Sequence, residues 1–546
     1  MTQGRILTQS RITQMTERGL WQNRTAADYL SANLAARPDR VFITDHNSMT
    51  GRSTSLSYRH LDRLSRRIAA GLIALGVARG DVVSLQLPNW WEIPAIHLAC
   101  VRIGAITNPL MPIFREHELR FMLAFAATKV LFIPRTFRGF DYAPMIESLR
   151  PDLPALEHVF VVGGEGDNAF EERLLRPAWE ERMDTAALLG QRALKPNEIA
   201  EYCYTSGTSG QPKCVMHTYN TLVACLGAGL ALELDRSIVV LMGSPLAHQT
   251  GFLFGFLLPL VLGGRTVLMD IWQADEAVRL IDQEQITFTM GATPFLSDLS
   301  ESPLLERYPT ASLEFFICGG APIPRVLVQT AKQRLGANIV AGWGMSENGL
   351  VTATLRGDPQ EKVCGTDGIC WHGMETRIVD ENGNEAAPDT PGDLQVRGAA
   401  NFVGYLKRPD AYEVDAHGWF NTGDIASRDV DGYIRLVGRA KDIIIRGGEN
   451  VPVVEVEDLI YEHPAVREIA IVAMPDPRLG ERGCAFLSLK PGASLSFGEL
   501  QTYLAQVKVA KNYWPERLET MPELPRTPSG KIQKFKLRAI AARFTP

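Results

Sequence analysis

Several features that would narrow the function are missing from this chain. Its eight cysteines, Cys100, Cys203, Cys214, Cys225, Cys318, Cys364, Cys370 and Cys484, are scattered, with no C-x-x-C pair and no metal-like Cys/His spacing. That pattern argues against a zinc cluster and points to reduced thiols in a cytoplasmic protein. A basic excess is also lacking: 56 Lys and Arg face 62 Asp and Glu, a formal charge of −6. No nucleic-acid partner is expected from that balance, and any anionic ligand must be held by a local site rather than by a global field. The most apolar run, 251–264, contains Pro259 and falls far short of the roughly 20 residues that a membrane span needs. It reads as a buried helix, with no integral membrane association. The opening segment, MTQGRILTQSRITQMTERGLW, is polar and charged, has no apolar h-region and does not read as a secretory signal. Internal repeats and low-complexity segments are absent as well.

What is present fits a chain of several units. At 546 residues, 45% apolar and 22% charged, it exceeds one core; roughly 100–200 residues per domain imply about three or four. Up to about residue 200, helical and strand patterns alternate. Leu61, Leu64, Ile68, Leu72 and Leu75 recur at helical spacing over 57–77, followed by a strand candidate at 82–87. A helix candidate at 90–103 is followed by a strand around 130–133. A second such rhythm runs from about 215 to 340, with strands expected at 238–242, 266–269, 288–291, 315–318 and 338–342. This alternation predicts α/β sheets covered on both faces. From about 365 to 438, short strands broken by Gly, Asp and Pro predict a small β-rich unit. A charged, Gly-rich junction at 439–450 then precedes a compact α+β pattern. The predicted fold class is therefore α/β: a large N-terminal domain (1–438) of two α/β subdomains plus a β-rich unit, and a small α+β C-terminal domain (451–546).

The strongest local signal is Tyr204-Thr205-Ser206-Gly207-Thr208-Ser209-Gly210-Gln211-Pro212-Lys213. Its glycines and hydroxyl residues expose a run of N–H and O–H donors suited to a phosphate chain, and Lys213 adds a point charge. The G-x-x-x-x-G-K-[ST] spacing of a Walker A loop is absent. Taken alone, the segment could also be an ordinary Gly/Ser turn before a helix.

Together with four further segments, however, it resembles the adenylate-forming superfamily of acyl-CoA synthetases, peptide-synthetase adenylation domains and firefly-type luciferases. The four are Gly342-Trp343-Gly344-Met345-Ser346-Glu347, Trp419-Phe420-Asn421-Thr422-Gly423-Asp424, Gly438-Arg439-Ala440-Lys441-Asp442 and Pro525-Arg526-Thr527-Pro528-Ser529-Gly530-Lys531. They stand in the family's order from about residue 200 to 535.

The resemblance implies a role for each residue. Thr205, Ser206, Gly207, Thr208, Ser209, Gly210 and Lys213 would cradle the phosphates of ATP. Gly319, Gly320 and Ala321 would line the adenine, with Trp343 stacking on it where the family usually has Tyr. Gly344 and Met345 flank that ring, and Ser346 keeps a hydroxyl where the family has Thr. Glu347 would bind Mg²⁺, with Thr205 as a second contact; a cation bridging ATP oxygens is normally held by only one or two protein oxygens. Asp424 would accept the ribose hydroxyls, a natural carboxylate-to-diol pairing, supported by Arg439. Lys531 would neutralise charge on the reacting phosphoryl group. The resemblance also implies a mobile C-terminal domain, turning about Lys441 between an adenylating and a thioester-forming pose. Gly447, Gly448 and Glu449 would then face the pantetheine arm of CoA. Cys214 stands where the family usually has Gly and is not read as a nucleophile.

His248, Phe252, Thr293 and Gly319 would form the acyl pocket, with Phe254, Phe256 and Phe295 as an apolar surround that favours a hydrocarbon acid. Helical Phe spacing is also what a plain core shows. The run as a whole is most similar to bacterial medium-chain acyl-CoA ligases and cyclohexanecarboxylate-CoA ligases. The expected activity is thus an AMP-forming acid-CoA ligase with Mg²⁺, ATP and CoA. A carrier-protein loader or a non-catalytic ATP-binding homologue are the alternatives. A homodimer, and a lysine acetyltransferase acting on Lys531, are further partners compatible with this reading.

Overall fold

A computed structural model describes residues 7–181, 185–205, 212–320, 323–439, 442–446, 449–527 and 530–544. Among these, two large sheets form the body. A six-stranded sheet runs in the order Lys213–Thr218, Ile199–Thr205, Ile106–Pro109, Val82–Leu85, Thr128–Pro134, His158–Val162. Its pairings are parallel except the first. Val82–Leu85 and Ile106–Pro109 are buried at every position, as parallel strands covered on both faces must be. The helix Tyr58–Ala74 follows the predicted spacing, burying Leu61, Ile68 and Leu72, and Ser57 caps it by accepting from the His60 N–H.

The second sheet has nine strands. It runs from Ile369–Cys370 through Gly349–Ala353, Asn338–Met345, Phe315–Gly319, Phe288–Gly291, Val239–Met242 and Arg265–Met269 to Val41–Asn47 and Arg52–Ser57. The five strands expected between 238 and 342 all occur, within about three residues of the predicted ends.

The two subdomains do not divide at residue 200, however. The hairpin of Val41–Asn47 and Arg52–Ser57 pairs with Arg265–Met269 in the second sheet, while Lys213–Thr218 belongs to the first. Strand partners far apart in the chain are invisible to local periodicity. The Gly/Ser segment likewise joins two antiparallel strands, with Thr205 opposite Lys213, so it leads into a strand and not directly into a helix.

The apolar run at 251–264 is buried, but it is not one α-helix. Gly251–Leu257 is a π-helix that passes into the α-helix Leu258–Leu262. Pro259 has no N–H to give the Gly255 carbonyl, so the regular ladder fails there and the preceding turns widen.

Met374–Val379, Gly392–Gly398, Phe420–Arg428 and Ile434–Arg439 make a four-stranded antiparallel sheet, the β-rich unit. Beyond it, a five-stranded sheet carries Ile444–Arg446, Glu449–Val451, Val466–Asp476, Gly480–Leu489 and Arg517–Thr520. It packs its own core, from Ile444 through Val456, Ile460, Ile471, Leu487 and Leu504.

Candidate active site

The ends of these sheets meet at one cleft. Gly319 and Gly342 lie opposite each other on neighbouring parallel strands, which puts the predicted adenine strip beside the Trp343 segment. Trp343 follows on the same strand, at a register shift between Trp343 and Gly344. Gly344 is obligatory: a Cβ there would run into the carbonyl of Gly349.

Trp343 is 6% exposed, and its indole N–H donates to Asp424 Oδ2 at 2.9 Å. Asp424, also 6% exposed, forms an ion pair with Arg439, whose Nε stands 3.2 Å from Oδ1. Asp424 and Arg439 face each other across the pair Phe420–Arg428 and Ile434–Arg439. Three residues read separately from two motifs and a junction thus form one unit, joined by a hydrogen bond and an ion pair.

Glu347 is 5% exposed at the end of the same segment. Its Oε1 accepts from the Tyr405 hydroxyl at 2.7 Å, and burial raises its pKa above the ordinary carboxylate value. The Lys213 ammonium stands 4.8 Å from the centre of the Tyr405 ring, within cation–π range. Thr205 and Lys213 are both half-buried at the open ends of their strands. A single buried carboxylate of this kind suits a hard cation that takes its remaining ligands from phosphate and water. No group of three or more His, Cys, Asp or Glu among the described residues forms an all-protein cage.

His217 fixes the carbonyl end of this segment. Its Nε2–H donates to the Ser346 carbonyl at 2.8 Å and its Nδ1 accepts from the Thr221 hydroxyl at 3.0 Å. Burial lowers its pKa to about 4, so the ring is neutral. Sequence reasoning passed over both Tyr405 and His217. Neither lies in a motif with its own chemistry, and each acts only through a residue distant in the chain.

Lys531 reaches this cleft from the C-terminal sheet unit. A Cβ on Gly320 would lie 3.0 Å from Lys531 Cε and 3.5 Å from Nζ, and Gly320 has φ +84°. Both conditions call for glycine there. Burial, then the charge of Arg439, pull the Lys531 pKa down to about 8, while Asp424 and Glu347 act in the opposite direction. His248, half-buried, is pulled down to about 3 by burial and by Lys531. It is a neutral ring beside the lysine. The loop Thr527–Lys531 is closed by the Lys531 N–H donating to Thr527 Oγ1 at 3.0 Å, and Gly530 lies against Phe295 and Ala292.

The expected acyl residues are not all alike. Thr293 opens the helix Thr293–Glu301, its hydroxyl 3.9 Å from Cys318 Sγ, and Gly319 follows directly. Phe252 instead packs edge-on against His97 with ring centres 4.8 Å apart, and Phe254 and Phe256 lie in the same core. Phe295 differs: it packs at a tilt against Trp272, with ring centres 4.8 Å apart, and lies beside Gly530. Gln249 is buried with neither amide atom partnered. Cys214 is buried and its thiol pKa is pushed up, consistent with an inert side chain.

Ser206, Gly207, Thr208, Ser209, Gly210, Ala321, Lys441, Gly447 and Gly448 lie outside the described residues, as does the side chain of Glu449, whose backbone begins the strand Glu449–Val451.

A family model for the AMP-binding enzyme matches residues 30–406, and one for its C-terminal domain matches 455–531. The chain is 37% identical over 528 residues to a medium-chain fatty-acid–CoA ligase of Escherichia coli (strain K12), covering 96% of this chain and 91% of that one. It is 32% identical over 525 residues to the 2,3-dihydroxybenzoate-AMP ligase of Bacillus subtilis (strain 168), covering 95% and 94%. Its fold superposes on the anthranilate CoA ligase AuaEII in complex with anthranoyl-AMP with a TM-score of 0.83 at 25% identity, over 96% and 98% of the two chains. Among the described residues, no helix is long and apolar enough to cross a membrane.

Proposed function

The chain belongs to the AMP-binding enzyme family, and from that premise we propose that it is an AMP-forming ligase joining a medium-chain or alicyclic carboxylic acid to CoA. The observation that carries this reading is the convergence of Asp424, Arg439 and Glu347 on Lys531, which itself lies against Gly320. These residues come from the C-terminal unit, the β-rich unit and the nine-stranded sheet.

In the first step the acid's carboxylate oxygen bonds to the α-phosphorus of ATP as the bond to the pyrophosphate oxygen breaks. Pyrophosphate leaves and an acyl-adenylate remains. Negative charge builds on the α-phosphoryl oxygens, and Lys531, held against Gly320, is the cation that meets it. Positioning and electrostatics supply most of the catalysis in such a transfer. Trp343 and Gly319–Gly320 hold the base, and Asp424 with Arg439 holds the ribose. Glu347, oriented by Tyr405, and Thr205 would hold Mg²⁺, which when bound neutralises the phosphate chain. His248 offers the acid a neutral neighbour that does not compete for its charge.

In the second step the CoA thiol attacks the acyl carbon, its proton is lost to solvent and AMP leaves. Lys531 must withdraw for the thiol to enter. Among the contacts that tie the C-terminal unit in place are Arg435 Nη2 to Asp458 at 2.7 Å and the Tyr461 hydroxyl 3.4 Å from Ser297 Oγ. Rotation about Lys441 would break them and bring Gly447, Gly448 and Glu449 toward the acyl group.

The test is AMP and pyrophosphate release with Mg-ATP over hexanoate, octanoate, cyclohexanecarboxylate and benzoate, each with and without CoA. AMP release that needs both acid and CoA supports the ligase. A second reading, the loading of a carrier protein, is favoured by the similarity to an AMP ligase that acts on an aryl acid. Pyrophosphate exchange without CoA-dependent turnover would replace the first reading with that one.

A further inference from the structure

We propose that Trp343 is a positioning residue that acts through Asp424: its indole N–H fixes the carboxylate so that the remaining lone pairs face the ribose hydroxyls. On this reading the residue makes the site selective for ribonucleotides over deoxyribonucleotides. The inference rests on the ATP-dependent ligase reading and adds to it, since a stacking role alone asks nothing of the indole nitrogen.

A carboxylate offers about four lone-pair sites. One on Oδ2 is taken by Trp343, while Arg439 stands by as an ion pair with its Nε 3.2 Å from Oδ1, so lone pairs on both oxygens remain for a vicinal diol. The Asp424 backbone N–H donates to Thr422 Oγ1 at 3.1 Å, fixing the main chain beneath it.

The two side-chain partners of Asp424 differ in permanence. Trp343 is buried in a strand of the nine-stranded sheet, aimed by the register shift beside it. Arg439 is exposed and ends its strand at the junction to the C-terminal unit. When that unit moves, Arg439 is the partner free to move with it. The indole remains and keeps the carboxylate aimed. A buried indole N–H without an acceptor is costly, so the bond serves both partners. Neither Phe nor Tyr carries a donor at this point of the ring.

The experiment measures equilibrium binding of ATP, 2′-deoxy-ATP and 3′-deoxy-ATP by calorimetry without any acid, on the full chain and on Trp343→Phe, Asp424→Asn and the double variant. Phe keeps an aromatic face for the base and removes the N–H together with one ring of the indole, and ATP and its deoxy analogues share the loss of that ring. In Trp343→Phe, ATP is expected to bind about tenfold more weakly, the worth of one charge-assisted hydrogen bond. The deoxy analogues should change much less, so that the preference for ribose collapses. Asp424→Asn should collapse it as well, and the double variant should add nothing further. In turnover, KM for ATP should rise with the acid's KM unchanged. Equal weakening of ATP and both analogues in Trp343→Phe would overturn the proposal and leave Trp343 as a base platform. Full ribose preference in Asp424→Asn would overturn it independently, should the Phe variant not fold. If the unaltered chain bound no nucleotide, the ligase reading itself would fall, and the clamp with it.

Discussion

The end of the cleft proposed to hold the nucleotide is built around polar contacts between sheets, whereas the end proposed to hold the acyl group rests on a π-helical segment and a phenylalanine-rich core. At the first, Trp343, Asp424, Arg439, Glu347 and Tyr405 each have a named polar partner. At the second, Phe252, Phe254 and Phe256 are committed to packing, and Thr293, His248 and Phe295 remain near the lysine loop. A site built from directional bonds admits one chemistry. A site built from apolar contacts grades its ligands by size, and one methylene is worth only about 1–3 kcal/mol.

The sharpest way to break this contrast is at Lys531, which serves the nucleotide end alone. Lys531→Ala, or acetylation that removes the charge, is expected to slow adenylation by about 10²–10³-fold, as for loss of one preorganised donor. Thioester formation from supplied acyl-adenylate should remain within a few-fold. Pyrophosphate exchange and thioester assays on the same preparation check both halves. Full adenylation by either protein would remove Lys531 from the mechanism.

The same lysine predicts a pH limit. Its pKa in the folded protein lies near 8, below the ordinary value, so it is charged below that pH and neutral above it. kcat/KM for ATP in the exchange reaction reports the free enzyme and should fall by about tenfold per unit once pH passes about 8. A flat profile to pH 9.5 would mean that the charge is not used.

Tyr405→Phe removes one hydrogen bond to a buried carboxylate, worth about 1.5–3 kcal/mol. We expect the Mg²⁺ concentration for half-maximal adenylation to rise about tenfold, with the ranking of acids unchanged. A changed ranking would show that the two ends are not independent. The smallest effect is expected at Arg435→Ala, which removes a partly buried ion pair with Asp458. At about 1 kcal/mol it should slow adenylation by about fivefold or less and leave the thioester step untouched, as stopped assays of each half-reaction would show.

The legible parts of this protein were those carried by contiguous residues. The strands at 239–242, 288–291 and 315–319 announce themselves by short apolar runs, and Lys531 by the Pro-Arg-Thr-Pro-Ser-Gly that precedes it. The Val41–Asn47 hairpin gave no sign of its sheet, because pairing with Arg265–Met269 spans more than 200 residues. Phe252 read as pocket and as core alike, since helical spacing is the same for both. His217 and Tyr405 were passed over because a second-row hydrogen bond leaves no spacing of its own.

By itself, then, the sequence determined the family and pointed to charged residues proposed to handle phosphate, because those readings depend on local motifs whose chemistry needs particular side chains. Only the tertiary structure decided that Trp343 donates to Asp424, that Tyr405 orients Glu347, and that Gly320 leaves room for Lys531. Those relations join residues dozens to hundreds of positions apart, and nothing but the packing of the sheets sets such distances.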